Sequence, residues 1–157
     1  MKKSAVKKVT SKKKAVAKKA VQTGVSDPVV TVLQTTKCKS ISEKTNIEYV
    51  FSMDENENLM LSIKNTDGGG FWNKGYMSFD SLMSVLSSVP IDQPISSMHL
   101  SGVTPGGSVN TRGYVLAACL NENLLIPFHG KHRQYMLDKE GVEKFLAKID
   151  KLKSTKG

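Results

Sequence analysis

Alternating apolar and polar positions mark the first half of this chain. A period of two is typical of β-strands, because successive side chains point to opposite faces of a sheet. The pattern predicts four strands, at Val29–Cys38, Ile47–Met53, Leu59–Lys64 and Phe71–Met77. The polar run Asp54–Asn58 predicts a hairpin turn between the second and third strands. Asn65–Gly70 contains three glycines, which give no side chain to anchor it, and predicts a flexible loop.

The apolar period then changes from two to that of a helix. Leu82, Val85, Leu86 and Val89 form one stripe at helical spacing. Ser78 is placed to cap a helix over Phe79–Val89, and Pro90 is placed to end it. The first half therefore predicts four antiparallel strands followed by one helix.

An internal similarity suggests that the second half repeats this unit. Tyr49–Ile63 and Tyr114–Phe128 share identical residues at six of fifteen aligned positions. Similarity at a fixed spacing is the signature of a duplicated unit. The second unit is predicted to contain four strands and a helix capped by Asp138, at Ile95–Ser101, Arg112–Cys119, Asn123–Phe128, Lys131–Leu137 and Lys139–Leu152.

The predicted fold class is therefore α+β, with two ββββα repeats packed as one pseudo-symmetric domain. The repeats cover about residues 28–90 and 94–152, within a folded region of residues 27–157. One such unit has too small a core to be stable alone, so the two units are expected to pack together through their helices.

The charge of the chain lies at its amino-terminal end. Nine lysines precede the first acidic residue, Asp27, and the remaining fourteen basic residues balance fourteen acidic ones; the nine are Lys2, Lys3, Lys7, Lys8, Lys12, Lys13, Lys14, Lys18 and Lys19. Residues 1–26 contain no aromatic residue and are predicted to be a disordered tail. Concentrated lysines suit a polyanion such as nucleic acid. A solubilising tail or an address signal is the alternative.

The sequence also bears on compartment and partners. Cys38 and Cys119 lack a CxxC neighbour or a histidine at metal-ligand spacing and are expected to be unpaired, semi-buried thiols in a reducing compartment. No apolar run approaches the roughly 18 residues that a membrane span needs. We expect an intracellular protein of the nucleoid, the nucleus or a viral particle, neither secreted nor membrane-bound.

The order of strands and helix resembles the Whirly-like group of nucleic-acid-binding folds. The segment LMLSIKNTDGGGFWNKGYMSFDSLMSVL, within Asn58–Leu86, looks most like a PUR (purine-rich-element-binding) repeat. Such repeats have an apolar third strand, a Gly-rich loop, a basic-aromatic fourth strand and a helix that opens on Ser or Asp. The resemblance covers roughly residues 28–152 and implies binding of single-stranded DNA or RNA, with a homodimer as a further option. This body is neutral where a typical member is basic, and its second unit lacks the Gly-rich loop.

Alternation on the predicted strands indicates which residues would contact a nucleic acid. Trp72, Lys74 and Tyr76 share a predicted strand face, and their counterparts in the second unit are Lys131, Arg133 and Tyr135. Aromatic rings that stack on bases beside cations that follow the backbone are typical of single-strand binding. Lys64, Lys37 and Lys39 extend this candidate surface. Each of these residues could instead have only a packing role in the fold, or lie in solvent without contacting a ligand.

The sequence does not favour catalysis. It contains no HExxH, GxSxG, Walker or GxGxxG motif, and no metal or cofactor is predicted. The first hypothesis is a non-catalytic nucleic-acid-binding protein whose sheet faces bind single strands while the tail adds non-specific affinity. The alternative is a structural or protein-interaction module, for instance of a virion or ribonucleoprotein, in which only the tail meets nucleic acid.

Overall fold

Four antiparallel strands followed by a helix open the structure, a computed structural model that describes residues 29–106, 108–131 and 133–156. The strands and helices over these residues are β1 (Thr31–Lys39), β2 (Asn46–Met53), β3 (Leu59–Thr66), β4 (Met77–Ser78), α1 (Phe79–Ser88), α2 (Val109–Asn121), β5 (Leu125–Pro127), β6 (Tyr135–Leu137) and α3 (Lys139–Lys156). Short 3₁₀ helices span Ser97–Leu100 and Phe128–Gly130. The described chain is therefore α+β, as the sequence predicts.

The main sheet has the strand order β1-β2-β3-β4, with every neighbouring pair antiparallel. Asp54 closes the β2–β3 hairpin, because its carboxylate accepts the backbone N–H of Asn56 at 2.9 Å and of Asn58 at 2.8 Å. Strand β4 is very short and pairs only Met77 and Ser78 with β3. Strands β5 and β6 form a separate two-stranded sheet.

The inner face of the main sheet carries the apolar core. Phe51 lies at its centre, with ring centroids 4.8 Å from Phe145 of α3 and 6.1 Å from Phe79 of α1. Tyr49 packs edge-on against Phe51 at 5.8 Å. Leu116 and Ala118 of α2 belong to the same buried cluster. Burial of this much apolar and aromatic surface is what joins the first half of the chain to the second.

A buried carboxylate adds a polar link between the two halves. Glu122, just after α2, accepts hydrogen bonds from the hydroxyl of Tyr49 and from the amide of Gln34, the latter at 2.7 Å. Lys148 of α3 forms an ion pair with the same carboxylate at 2.6 Å. The side chain of Glu122 is only 6% exposed. Three elements, β1, β2 and α3, are thus tied to the end of α2.

The opposite face of the sheet, which we call the outer face, is divided in two. Strand register places ten side chains on it: Val32, Thr35, Lys37, Lys39, Glu48, Val50, Ser52, Met60, Ser62 and Lys64. The three lysines are exposed at one end. At the other end Val50, Ser52 and Ser62 are buried, and Val50 lies outside the main apolar cluster.

Most of the first predicted unit is confirmed. Strands β1, β2 and β3 lie where the alternation predicts them, and the hydroxyl of Ser78 caps α1 by accepting the N–H of Ser81 at 3.2 Å. The fourth strand predicted over Phe71–Met77 is wrong for residues 71–76, which have no regular structure. Asn73, Gly75 and their neighbours follow a path set by hydrogen bonds to side chains instead of a strand ladder.

The prediction of four strands in the second unit is wrong. Arg112–Cys119 lies inside helix α2, and of Ile95–Ser101 only Ile95 makes an isolated bridge, to Tyr135, before a 3₁₀ helix. The strands predicted over Asn123–Phe128 and Lys131–Leu137 shorten to β5 and β6. The final helix is confirmed and extends to Lys156. The second half therefore has the order helix, two short strands, helix.

Two further sequence predictions can be placed. The tail predicted over residues 1–26 lies outside the described residues. Among the helices of the described ranges, none is long and apolar enough to cross a membrane.

Candidate nucleic-acid interface

Residues 71–73 are fixed against the start of α2 through their backbone. The carbonyl oxygen of Phe71 accepts hydrogen bonds from the Ser108 hydroxyl at 2.7 Å and from the Asn110 side-chain amide at 3.0 Å. The N–H of Asn73 donates to the Thr111 hydroxyl at 2.9 Å. The glycine-rich segment predicted as a flexible loop, Asn65–Gly70, therefore ends at this anchor, and within it Asp67 accepts hydrogen bonds from the backbone and side chain of Asn46 at 2.8 and 2.7 Å.

This anchoring presents Phe71 to solvent. Its side chain is 91% exposed, the highest value among the exposed large apolar residues of the described chain. An aromatic ring on a fixed backbone is a suitable platform for an unstacked base. Sequence reasoning missed Phe71, because period-two alternation on a presumed strand placed it on the face opposite to Trp72. Its exposure could be found only from the loop conformation.

Two aromatic rings near this loop each have a lysine beside them. The Nζ atom of Lys74 lies 5.5 Å from the centroid of the Trp72 ring, and that of Lys64 lies 6.0 Å from the centroid of the Tyr76 ring. Both lysines are exposed and both rings are half-buried. Each pair has the geometry of a cation–π contact. The structure therefore brings these four predicted residues into two lysine–aromatic pairs, although not onto one strand face.

Trp72 is oriented partly by the protein itself. Its indole N–H donates to the carbonyl oxygen of Ile63 at 3.4 Å, and its ring packs against the main apolar cluster. The side chain therefore has a structural role, and only its outer part is available to a ligand.

Lys37 and Lys39 lie on the outer face, as exposed residues of β1. Two acidic residues accompany them: Glu48, the cross-strand neighbour of Lys37, and Asp67, which feels the charge of Lys39. Hydrogen bonds from the side chain and then the backbone of Asn46 hold the pKa of Asp67 below its ordinary value, so this carboxylate stays charged. The lysine-bearing end of the outer face is therefore mixed in charge.

The remaining predicted residues lie elsewhere. Lys131 and Arg133 are exposed in the loop between the second 3₁₀ helix and β6, and Tyr135 is buried on β6. The predicted equivalence between Tyr76 and Tyr135 is therefore wrong, since one is half-buried on a loop and the other pairs with Pro127 and Ile95. The nine tail lysines lie outside the described residues.

The two cysteines carry free thiols, half-buried at Cys38 and buried at Cys119. Burial, followed by the negative charge of Glu122, raises the pKa of both, to about 12 for Cys119. Neutral thiols are poor nucleophiles and poor metal ligands. Within the described ranges, no cluster of three or more His, Cys, Asp or Glu side chains could hold a metal ion.

Comparisons with protein-family models, with curated proteins and with solved structures find no match to this chain.

Proposed function

We propose that this chain is a non-catalytic protein that binds single-stranded DNA or RNA at the loop of residues 71–76 and at the adjoining lysine-bearing end of the outer face. The observation that carries the proposal is Phe71, an almost fully exposed aromatic ring on a backbone fixed by three hydrogen bonds within residues 71–73. Exposing such a ring is unfavourable in water, and a ring on a fixed backbone is available to stack on an unpaired base.

The neighbouring groups suit the same ligand. Phe71 offers one stacking surface, Tyr76 and the outer part of Trp72 offer others, and Lys64 and Lys74 place positive charge beside the rings. Bases of a single strand are exposed and stack on such rings, whereas those of a duplex are not accessible. Lys37 and Lys39, exposed on the outer face, would contact phosphates further along the strand.

The first five elements support the proposed relationship to PUR-like folds. Residues 31–88 have the order of four antiparallel strands and one helix that a PUR repeat has. The second half does not repeat that order, so the relationship is proposed for the first unit alone.

The nine tail lysines would supply non-specific attraction to any polyanion, and the folded body would supply the preference for single strands. Attraction of this kind is strongly salt-dependent, because each neutralised phosphate releases condensed counterions. A body without net charge needs this contribution, since Glu48 and Asp67 offset the lysines of the outer face.

One observation favours the alternative function, a structural or protein-interaction module in which only the tail meets nucleic acid. The acidic Glu48 and Asp67 lie among the very lysines that would contact phosphate. Phe71 would then contact a protein partner. The two functions differ in whether the folded body contributes to oligonucleotide binding.

Fluorescence anisotropy of labelled single-stranded and double-stranded oligonucleotides with the full chain tests the proposal. Phe71→Ala is expected to weaken single-strand binding by about 1–3 kcal/mol, the usual contribution of one stacked base. Lys64→Gln is expected to reduce the dependence of log K on log salt by about 0.7, the loss of one phosphate contact to a single strand.

Matched controls are available on surfaces away from this loop. Ile91→Ala removes another large apolar side chain, 83% exposed, and Lys151→Gln removes an exposed lysine of α3; both should bind like the unaltered chain. A full chain whose nine tail lysines are all replaced by glutamine should bind weakly but still prefer single strands. If Phe71→Ala and Lys64→Gln behave like their controls, the folded body does not bind and the alternative function stands.

A further inference from the structure

One end of the outer face of the main sheet is withdrawn from water. Val50, Ser52 and Ser62 are 3%, 0% and 2% exposed. Register pairs Val50 with Ser62 across β2 and β3. Ser52 lies between Met60 of β3 and Val32 of β1, and Val32 is 44% exposed. We call these five residues the serine patch.

The described helices do not account for this burial. Helices α1, α2 and α3 all contribute to the buried cluster of the inner face, and Val50 is not part of that cluster. Tyr76 lies at the β3 side, with its ring centroid 6.0 Å from the Nζ atom of Lys64, whereas Val50 and Ser52 lie on β2, between β1 and β3. The exposures are those of a single chain, so the cover comes from the chain itself.

The serine patch also holds two hydroxyls that need a partner. Within the described residues, the Oγ atoms of Ser52 and Ser62 are buried and make no hydrogen bond. A buried hydroxyl without a partner is unfavourable, and native proteins nearly always supply one. We therefore expect the partner to come from the segment that covers the patch.

The chain enters the sheet beside this patch. The described residues begin at Val29, and Val32 is the cross-strand neighbour of Ser52. Neighbouring strands lie about 4.8 Å apart, so Ser62 on β3 is about 10 Å from β1. The eight residues from Val21 to Val29 can span up to about 26 Å when extended. The segment that precedes Val29 therefore reaches every part of the patch.

Residues 15–26 have the composition to cover such a surface. Six of these twelve residues are Ala or Val, and four of them are spaced as on one face of a helix: Val16, Ala17, Ala20 and Val21. Small side chains allow close packing on a patch that is itself made of valine and serine. The polar Gln22 and Thr23 follow, and their side chains can bond to hydroxyls. Residues 1–14, by contrast, contain seven lysines and only three Ala or Val residues.

We propose that residues 15–26 dock on the serine patch, with their Ala and Val side chains against it and their polar groups bonded to the two serine hydroxyls. Docking leaves the seven lysines of residues 1–14 outside the patch and holds Lys18 and Lys19 beside the sheet. The outer face then has two roles, since one end binds the chain's own segment and the other end carries the exposed lysines. This inference does not depend on the proposed function, because the patch would be covered whether or not the chain binds nucleic acid.

Limited proteolysis of the full chain with trypsin tests the docking, because lysines lie both within residues 15–26 and before them. A protease cuts a docked segment only when the segment opens. Cleavage after Lys18 and Lys19 is expected to be at least about tenfold slower than cleavage after Lys13 and Lys14, once each rate is divided by the rate in a synthetic peptide of residues 1–26. Mass spectrometry of the early products measures these rates.

Two variants with matched controls test both sides of the contact. Val21→Asp in the segment and Val32→Asp at the exposed rim of the patch should each remove most of this protection, because a buried charge without a partner is unfavourable. The controls make the same change elsewhere: Val9→Asp before the segment, and Ile91→Asp at an 83% exposed position after α1. Both controls should keep the protection.

NMR spectra of the full chain distinguish the other possible covers. The ¹⁵N–¹H signals of Ser52 and Ser62 should shift in Val21→Asp, stay in place in Val9→Asp and not depend on protein concentration. Equal corrected cleavage throughout residues 1–26 would overturn the proposal, as would unshifted serine signals in Val21→Asp. Signals that change with concentration, together with even cleavage, would show instead that a second copy of the chain covers the patch.

Discussion

A single buried side chain, Glu122, holds together parts of the molecule that are far apart in sequence. It accepts from Tyr49 and Gln34 and pairs with Lys148, and Asn121 donates to the Tyr49 hydroxyl at 2.8 Å. A buried carboxylate is tolerated only when such partners replace the water that it loses. The sequence offered no way to find this cluster, because residues that bond directly in it, such as Gln34 and Glu122, are separated by up to 88 positions.

Removal of this carboxylate should destabilise the fold. Glu122→Ala leaves the buried hydroxyl of Tyr49 with fewer partners and is expected to lower the free energy of unfolding by about 2–4 kcal/mol. Urea unfolding monitored by circular dichroism measures this. Glu140→Ala is the control, since Glu140 is an exposed partner of Lys144 and its loss should change stability by less than about 0.5 kcal/mol. Equal stability of the two variants would contradict the structural role of Glu122.

Two buried groups near this carboxylate make the fold sensitive to alkaline pH. Burial raises the pKa of the Cys119 thiol from 9.0 to about 12, and burial with the Glu122 hydrogen bond raises that of Tyr49 above its ordinary 10.0. Above pH 9 the unfolded chain ionises these groups while the folded chain keeps them neutral. Their contribution to stability is therefore fully present below pH 9 and is lost as pH rises from 9 towards 12.

Stability curves measured by urea unfolding at increasing pH test this expectation. The free energy of unfolding should begin to fall above pH 9 for the unaltered chain, and the fall between pH 9 and 10 should be smaller in Cys119→Ala, which keeps only the half-buried thiol of Cys38. A curve that is the same for both proteins would show that the thiol ionises as readily in the folded state.

At the scale of elements, the two similar segments show how far sequence identity can mislead. Tyr49–Ile63 and Tyr114–Phe128 share six residues, yet one is a hairpin and the other is a helix followed by a short strand. In the second segment Leu116, Ala117, Ala118 and Leu120 are strong helix formers, while the first has Val50, Phe51 and Ser52 in alternation. The shared Asn-Glu-Asn residues lead into a strand in both, through a turn that contains a residue with φ near +60°, Glu57 in one and Asn123 in the other.

Two helical glycines are expected to respond in opposite ways to the same substitution. Gly113→Ala meets open space in α2 and should raise the free energy of unfolding by about 1 kcal/mol, from helix propensity. A Cβ atom at Gly141 in α3 would lie 1.8 Å from the carbonyl oxygen of Asn123, so Gly141→Ala should destabilise the fold by about 2 kcal/mol or more. Chemical unfolding of both variants measures the difference, and a change of the same sign in both would contradict the described packing of α2 and α3.

At the scale of the whole molecule, the halves form one core and not two similar ones. Phe51 of the sheet packs on Phe145 of the last helix, and strand β1 contacts both α2 and α3. The order of strands in residues 31–66 was predictable because period-two alternation and turn residues are local signals. Helix α2, the path of residues 71–76 and the exposure of Phe71 were not, because each depends on contacts between the halves.

A fragment that ends at Val89 should therefore fail to fold. It would lose α2 and α3 and expose the inner face around Phe51, Tyr49 and Leu61, leaving a single sheet with one helix as cover. The expected ¹⁵N–¹H spectrum is poorly dispersed, with no cooperative thermal transition. The full chain, as control, should melt in one transition. A folded fragment would restore the idea of an independent first unit.

The shortness of β4 has a consequence for how copies of this chain meet one another. Beyond Leu61, the edge of strand β3 that faces away from β2 has no strand partner within the described structure. An open strand edge of this kind can pair with another molecule. The indole N–H of Trp72 donates to the carbonyl oxygen of Ile63, and the next residue, Lys64, adds a positive charge. Both features disfavour pairing of this edge with a strand of another molecule. The loop of residues 71–76, which we propose binds single strands, therefore also covers this strand edge, and we expect loss of Trp72 to open the edge to self-association.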